Sequence, residues 1–564
     1  MITLSLSDDR SRLLLRSPYS PTLVEFCHTL PNARFNKAQQ QWTCDFTPAT
    51  AWRLCSHLDG QAQIAPEIIE ASESFDVGTC MAAAIRDGDC YSKPSIDRAW
   101  IKLPQPEIRK TDGWHHQVTA YHFANAQHEA TLLGMWMGTG KSKVAIDLVV
   151  NWGCRRVLIL CPVSVLQVWP RQFRLHGPED ARVLVLDKGG NRKRVERAHQ
   201  FLASLDGMEL GVVLINYESA WREHFAAWSL LRSWDCVILD ESHRIKSHNS
   251  AVSRYAAKLR RVAARRLCLT GTPANTPLDI FGQLRFLDPG ILGTSFVQFR
   301  NHYAICGNPM IPQQVTGYKN QDELRANFRL LAYQVGPDVL DLPPVQHHVR
   351  TFDLCPFARQ VYRDLETELI AQIGEGTVTA ANALVRLLRL QQLTSGFAVT
   401  EQTEEEVAVD EGKRNLLIDL LTDIPQREPV VVFCRFRHDL RVVWEVAQAT
   451  GRRWGELSGT RKDLVDAMLP ESIDLLGVQV SAGGLGVDLT RSHYAVYYSK
   501  GFSRLEYDQS LARLVRKEQT QSVQHYHLVA NNTVDEHLEK VLVERKDVIS
   551  GILETYRKEL CHVV

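Results

Sequence analysis

The chain predicts an α/β protein in which parallel sheets are flanked by helices and divided among more than one domain. Three observations carry this. Short apolar runs recur between helix-patterned stretches, at Val157–Cys161, Gly211–Asn216, Trp234–Leu239, Leu267–Thr270 and, much later, Val430–Cys434. Strands this apolar are buried on both faces, as parallel strands joined by helices are. Each run ends in a polar or Gly/Pro turn, and ligands of such sheets gather at the strands' carboxyl ends. At 564 residues the chain also exceeds what one hydrophobic core supports.

The N-terminal residues come first. A strand, a helix over Thr22–Leu30, a hairpin over Ala33–Thr47 and a second helix from Pro48 are expected, a small α+β unit. Residues 61 to 110, with Pro94, Pro104 and Pro106, read as a mixed connector.

Then comes Met135-Trp136-Met137-Gly138-Thr139-Gly140-Lys141-Ser142, between an apolar segment and the helical pattern Lys143–Val149. A Gly-rich turn opening a helix lets backbone N–H groups approach phosphate oxygens, and the helix N-terminus favours their charge. Lys141 is placed to reach the β- and γ-phosphates and the Ser142 hydroxyl to hold Mg²⁺. The glycine that usually opens this pattern is replaced by Met135. The strand Trp234–Leu239 runs into Asp240-Glu241-Ser242-His243. Paired acids at a strand end put one carboxylate on the metal, here Asp240, and leave the other, Glu241, to activate the attacking water. ATP and Mg²⁺ are therefore the expected ligands.

Composition agrees with a folded class and excludes several others. With 45% hydrophobic and 23% charged residues, no segment is low-complexity or collagen-like. No uninterrupted apolar run is long enough to cross a bilayer, and Met1–Ser5 lacks the basic-then-apolar layout of a secretory signal. The 13 cysteines include no Cys-x-x-Cys pair, so neither a zinc ribbon nor a disulfide framework is indicated. The expected location is the cytoplasm, nucleoid-associated or in a phage-infected bacterial cell, without a membrane partner. Sixty-five basic and 65 acidic residues cancel, so whole-chain charge gives no support for nucleic-acid binding. That inference has to come from motifs.

The ordered motifs resemble the Swi/Snf-type ATPases of helicase superfamily two. His116-Gln117 matches the adenine-reading glutamine motif, residues 137 to 142 motif I, Asp240–His243 motif II and Leu269-Thr270-Gly271-Thr272-Pro273 motif III. Pro289-Gly290 and Leu340–Pro344 resemble the segments that follow. Val430–Cys434 resembles motif IV, Val480–Thr490 motif V and Gln509–Gln519 motif VI. The resemblance covers about residues 112 to 556. It implies two tandem RecA-like lobes with helical insertions, 111–345 and 346–564, the second ending in a brace helix. Residues 1–110 form an accessory domain that resembles, through Ala33-Arg34-Phe35-Asn36 and Trp42, the HARP-type domain of annealing helicases.

For the site, the resemblance implies that Gln117, Met137, Gly138, Thr139, Gly140, Lys141, Ser142, Gly486 and Asp488 contact nucleotide, with Ser142 and Asp240 on the metal. Lys141, Asp240, Glu241, Arg513 and Arg516 carry catalysis. Arg513 and Arg516, three apart, are expected to share one helical face and reach a common phosphate. Two departures stand out. Ala332–Pro337 replaces the family's basic residues before the Leu-Pro-Pro segment, and Ala512 and Val515 replace motif VI's usual Gly and His. The implied function is an ATP-driven translocase on duplex or branched DNA that remodels forks or recombination intermediates by annealing or branch migration. The alternatives are a strand-separating DNA or RNA helicase, or a nucleotide-gated adaptor of a defence or restriction complex; protein partners are not indicated by the sequence.

Overall fold

The computed structural model describes residues 2–58, 60–88, 103–127, 129–207, 209–307, 315–340, 342–374, 380–400, 405–464, 468–480, 487–516, 519 and 521–543. Its contacts divide the chain into two compact units, 1–339 and 340–564.

The first unit opens with a five-stranded sheet. Strands β1 (Ile2–Leu6), β2 (Arg12–Arg16), β3 (Arg34–Asn36), β4 (Gln41–Asp45) and β5 (Ala62–Ile64) lie in the order β3-β4-β2-β1-β5. All pairs are antiparallel except β1 with β5. Helix α1 (Pro21–His28) starts at Ser20, whose hydroxyl accepts the Leu23 N–H, with Pro21 at the first helical position, where its missing N–H costs nothing. Helix α2 (Pro48–Leu58) and α1 cover a core of Leu4, Leu13, Leu15, Leu23 and Leu54.

The stretch expected to be a mixed connector is more ordered than its sequence suggests. It supplies β5 and then α3 (Pro66–Gly88), a 23-residue helix. The buried stripe of α3 runs through Ile68, Ser72, Phe75, Thr79 and Ala82, helical spacing with two hydroxyls in it. Those hydroxyls mask the apolar period.

This N-terminal module is docked on the rest of the unit. The Ala49 N–H donates to Asp288 Oδ2 (3.3 Å), Arg53 Nη1 to the Gly290 carbonyl (2.8 Å) and the Asn32 N–H to Thr294 Oγ1 (3.1 Å). A Cβ at Gly290 would stand 2.6 Å from both Thr47 Oγ1 and the Thr50 nitrogen, so glycine is what lets the two backbones meet.

Beyond helix α4 (His115–Gln127) lies a seven-stranded sheet. Its strands are β6 (Ala130–Met135), β7 (Arg156–Cys161), β8 (Arg182–Val185), β9 (Gly211–Asn216), β10 (Trp234–Asp240), β11 (Ala263–Thr270) and, after a small hairpin of β12 (Ala304–Cys306) and β13 (Val315–Tyr318), β14 (Ala332–Val335). The order is β14-β6-β11-β10-β7-β9-β8, and every pairing is parallel. Alternate residues of each strand enter different cores. Leu158, Leu160, Val237 and Leu239 join one apolar cluster, while Val157, Ile159, Cys236 and Ile238 join the other. Both faces are therefore covered by helices, as the apolar runs predict. The non-basic segment at Ala332 has a structural reason. It forms edge strand β14 beside β6, with Tyr333 fully buried.

The second unit repeats the architecture. Strands β15 (Val345–Phe352), β18 (Val430–Cys434), β19 (Trp454–Leu457), β20 (Leu475–Gln479), β21 (Tyr494–Tyr497) and β22 (Val523–Ala530) form a parallel sheet in the order β15-β22-β21-β18-β20-β19. A short hairpin, β16 (Phe397–Val399) with β17 (Glu406–Ala408), lies apart. Val430 and Val432 face one core, Val431 and Phe433 the other. The last described helix is Val534–Val543, and the residues beyond 543, into which a C-terminal brace helix would run, fall outside the described residues. Among the described residues no helix is long and apolar enough to cross a membrane.

Candidate active site

The three turns expected to carry chemistry follow β6, β11 and β10, neighbours in the sheet, at their carboxyl ends. The first turn links β6 to helix α5 (Lys141–Asn151). Gly138 and Gly140 have φ of +78° and +86°, a region costly for any residue with a Cβ. At Gly140 a Cβ would also lie 2.2 Å from Gln117 Nε2. Gly140, at the N-cap of α5, makes no side-chain cap hydrogen bond. Such an end favours an anion. Met137 and Ser142 are half-buried and Gly138 exposed.

Two contacts in this loop were not foreseen. Gln117 Nε2 and His116 Nε2 both bond the Thr139 carbonyl, at 3.0 and 2.9 Å, and Gln117 Oε1 accepts the Trp114 N–H (2.9 Å). Gln117 thus braces the loop backbone in this structure. Lys141 Nζ donates to the carbonyls of Met135 (2.9 Å) and Trp136 (3.3 Å). An ammonium held by carbonyls at the loop's own throat is positioned to exchange them for phosphate oxygens.

Asp240 ends β10, buried. Trp169 Nε1 donates to its Oδ2 (3.0 Å), the Glu241 N–H to its Oδ1 (3.0 Å), and the Tyr217 hydroxyl to its carbonyl (2.8 Å). Burial, and then the charge of Glu241, push the Asp240 carboxyl up to about 7, while the Lys141 ammonium pulls it down. That mutual influence puts Lys141 and Asp240 in one electrostatic site. A buried carboxylate with these costs fits a hard cation. No group of three or more His, Cys, Asp or Glu forms a metal cage among the described residues. Mg²⁺ needs none, being held by one or two carboxylates and the substrate's phosphates. Ser142, in the first turn of α5, is the other residue that would hold it.

Glu241 has φ +52°, left-handed for a residue that is not glycine. Such strain costs about 1–3 kcal/mol and persists where surroundings enforce it. Here Glu241 Oε2 lies 3.3 Å from His243 Nδ1, which is 3.3 Å from Thr270 Oγ1, and that hydroxyl accepts the Thr272 N–H (3.2 Å). Ser242 Oγ donates to Gln283 Oε1 (2.7 Å), and Gln283 Nε2 to the Pro273 carbonyl (2.6 Å). Motifs II and III are thereby tied together. Sequence reasoning gave no role to Trp169, Tyr217, His243 or Gln283. Of these, only His243 had a local signal, as the last residue of motif II.

In the second unit, Asp488 and Arg516 come together. Arg516 Nη1 is 3.4 Å from Asp488 Oδ2, and its Nη2 donates to the Val487 carbonyl (2.7 Å). Thr490 N and Oγ1 both donate to Asp488 Oδ1, at 3.0 and 2.6 Å. The expectation that Arg513 and Arg516 share a helical face is not met. The helix Arg504–Leu514 stops before Arg516, because Val515 turns extended (φ −94°, ψ 93°) and is buried. Arg513 sits in the last turn, its carbonyl accepting the Leu489 N–H (3.1 Å). Gly486 lies outside the described residues.

The family model of the SNF2-related domain matches residues 35–396. The chain is 22% identical to the CHD3-type chromatin-remodeling factor PICKLE of Arabidopsis thaliana, over 76% of this chain and 33% of that protein. It is 23% identical to the DNA repair and recombination protein RAD54B of Gallus gallus, over 74% and 51%. With the Caenorhabditis elegans homolog of SWI/SNF-related matrix-associated actin-dependent regulator of chromatin subfamily A-like protein 1 it shares 24% identity over 95% and 74%. The chain therefore spans 33% and 51% of the length of the first two. Among solved structures, the Sulfolobus solfataricus SWI2/SNF2 ATPase core in complex with dsDNA aligns with a TM-score of 0.37 and 19% identity, over 81% of this chain and 97% of that one.

Proposed function

Because the chain belongs to the SNF2-related family of ATPases and helicases, we propose that it is an ATP-driven motor on duplex DNA that remodels forks or recombination intermediates by annealing or branch migration. One observation carries the chemistry. Lys141, in the turn that leaves β6, and Asp240 and Glu241, at the end of β10, stand on the carboxyl side of one parallel sheet in which only β11 separates their strands, at a helix start whose N-cap is a glycine.

In this reading Lys141 leaves the Met135 and Trp136 carbonyls for the β- and γ-phosphates, and the amides of residues 138 to 142 take the remaining phosphate oxygens. Asp240 and Ser142 hold Mg²⁺, which when bound neutralises charge on the phosphates. Glu241, oriented by His243, takes the proton of the attacking water. Arg513 and Arg516 stabilise the charge of the transferring γ-phosphoryl, Arg516 exchanging Asp488 for it. DNA as the track is supported by relatives whose names record DNA repair and recombination. Contacts to a duplex backbone would give little sequence preference.

The test compares ATP turnover with duplex, forked and single-stranded DNA and with RNA, in the wild type and Lys141→Ala. Turnover should rise most with duplex or forked DNA and vanish in the variant. Stimulation by single strands or RNA alone would replace this reading with a strand-separating helicase.

A further inference from the structure

The amino end of the first unit's parallel sheet carries a small cavity of about 190 Å³. Arg156, His199, Arg232 and Ser233 line it, together with the apolar side chains of Leu202 and Trp234. Arg156 is the first residue of β7, and Arg232 and Ser233 immediately precede β10, its neighbour in the sheet. Strand pairing therefore brings the two arginines to one end of adjacent strands. Asp240 closes the opposite end of β10. At about 3.3 Å per residue, that strand sets the cavity roughly 20 Å from the candidate ATP site.

Arg232 is held in place. Its Nη1 donates to the Trp228 carbonyl (2.9 Å), and the guanidinium lies over the Trp228 ring, 4.4 Å from the centroid. A guanidinium carries five N–H donors, so others remain. The neighbouring arginines at this end of the sheet are matched by acids. Arg182, at the start of β8, pairs with Glu209 (3.3 Å), and Arg266 with Glu129 (3.0 Å). Among the described residues, neither Arg156 nor Arg232 pairs with a carboxylate. Asp235, beside them in sequence, is engaged otherwise. Its Oδ2 accepts the backbone N–H groups of Arg155 (2.7 Å) and Arg156 (2.9 Å). Burial, and then the charge of Arg156, pull Arg232 down from the usual guanidinium range, and no acid among the described residues offsets this.

Two guanidiniums close enough to repel, one of them fixed and neither matched by a carboxylate, make a site for an anion. The cavity is smaller than the range of about 300–1,000 Å³ usual for larger ligands, and it suits a single tetrahedral group. We propose that it binds a dianionic phosphate, either inorganic phosphate or the phosphomonoester at a DNA 5′ end. The phosphate oxygens accept from Arg156 and Arg232, and Ser233 Oγ donates to a third. His199, on the helix Asn191–Ala203, adds an imidazole N–H. A phosphomonoester carries about 1.5–2 negative charges near neutral pH, whereas a backbone diester carries one, so two unmatched cations favour the monoester. The DNA-end source rests on the duplex-DNA reading above; the inorganic source does not.

The experiment titrates the full-length chain with inorganic phosphate by calorimetry at fixed ionic strength. Lys141→Ala serves as the background, because it disables the other anion site, in the loop before α5. One phosphate should still bind. Arg156→Gln or Arg232→Gln, each added to that background, should weaken it by about tenfold or more, the loss expected of a hydrogen bond to a charged group. Ser233→Glu puts a carboxylate beside the arginines from an exposed position, and should abolish phosphate binding while raising the melting temperature. Thermal melts check that the glutamine variants fold. No binding in the Lys141→Ala background, or binding that survives both glutamine variants, overturns the proposal. Anisotropy then compares one duplex with 5′-phosphate and with 5′-hydroxyl ends. Tighter binding of the phosphorylated end, lost in Arg156→Gln and Arg232→Gln, assigns the site to a DNA end. Equal binding of both ends that these variants leave unchanged assigns it to free phosphate. If the variants weaken both duplexes alike, the cavity reads backbone diesters and the dianion assignment falls. Duplex-stimulated ATP turnover of the wild type is measured alongside: if it is absent while phosphate still binds, the DNA reading fails and the cavity assignment stands.

Discussion

Trp169→Phe removes one hydrogen bond from the centre of the candidate site and leaves most of the packing. The buried indole donates to Asp240 Oδ2 at 3.0 Å and lies against Phe173 with ring centroids 6.0 Å apart. A phenyl ring keeps the second contact and loses the first. A hydrogen bond to a charged acceptor is worth about 1.5–3 kcal/mol. At 1.36 kcal/mol per tenfold, kcat/KM for ATP should fall by about 10- to 150-fold at pH 8. Asp240, already pushed up to about 7 by burial and by Glu241, also loses a group that holds it down, so its carboxyl rises further. The acid limb of the pH–rate profile should move to higher pH, since protonated Asp240 cannot hold a cation. Steady-state ATPase from pH 6 to 9 at saturating duplex DNA, with free Mg²⁺ titrated, reads both effects. Added Mg²⁺ should partly restore the rate below the limb by competing with the proton. Wild-type kcat/KM together with an unmoved acid limb would refute the role given to Trp169.

Glu241→Gln should bind ATP and hydrolyse it slowly, because Asp240 stays while the carboxylate that takes the water's proton is gone; nucleotide binding and single-turnover hydrolysis measured together check this. Arg516→Ala should lower kcat by up to about 10³-fold with a smaller change in KM, and a change confined to KM would limit Arg516 to binding. A third expectation concerns stability. Asp439 is fully buried, accepts from Ser499 Oγ and the Phe436 N–H, and is pushed by burial from 3.8 up to about 6. Between those values the folded chain binds more protons than the unfolded one, so stability falls as pH rises through the window and levels off above it. The decline is about 3 kcal/mol at 1.36 kcal/mol per pH unit. Asp439→Asn should flatten that stretch in melts at pH 4.5, 5.5 and 7.

The parallel strands were legible because strands buried on both faces read as unbroken apolar runs, and Val157–Cys161 and Val430–Cys434 are such runs. The loop at Gly138–Ser142 was legible because φ of +78° and +86° leaves little choice but glycine. Helix α3 was not, since Ser72 and Thr79 occupy its buried stripe. Strand β14 hid behind Tyr333 and Gln334, residues whose place is set by β6 and not by their own pattern. Local spacing suggested a shared face for Arg513 and Arg516, but the burial of Val515 ends the helix between them. Trp169 and Gln283 reach the site from distant parts of the chain, and sequence distance carries no trace of such contacts.

The docking of the N-terminal module bears on cooperativity. Ala49 and Phe75 belong to the same apolar cluster as Val237 and Leu239, which lie in the strand that carries Asp240. Through Ala49 and Phe75 the module thus shares part of a core with the strand bearing the metal-site acid, beside the core of its own around Leu4, Leu13 and Leu54, and elements that share a core melt together. Calorimetry should show no early, separate transition for the module, and a protease that attacks it should act only when the ATP site has also opened. Removing residues 1–105 would strip part of the wall from that core, so the cut chain should lose ATP turnover through melting at a lower temperature even where its catalytic side chains are intact.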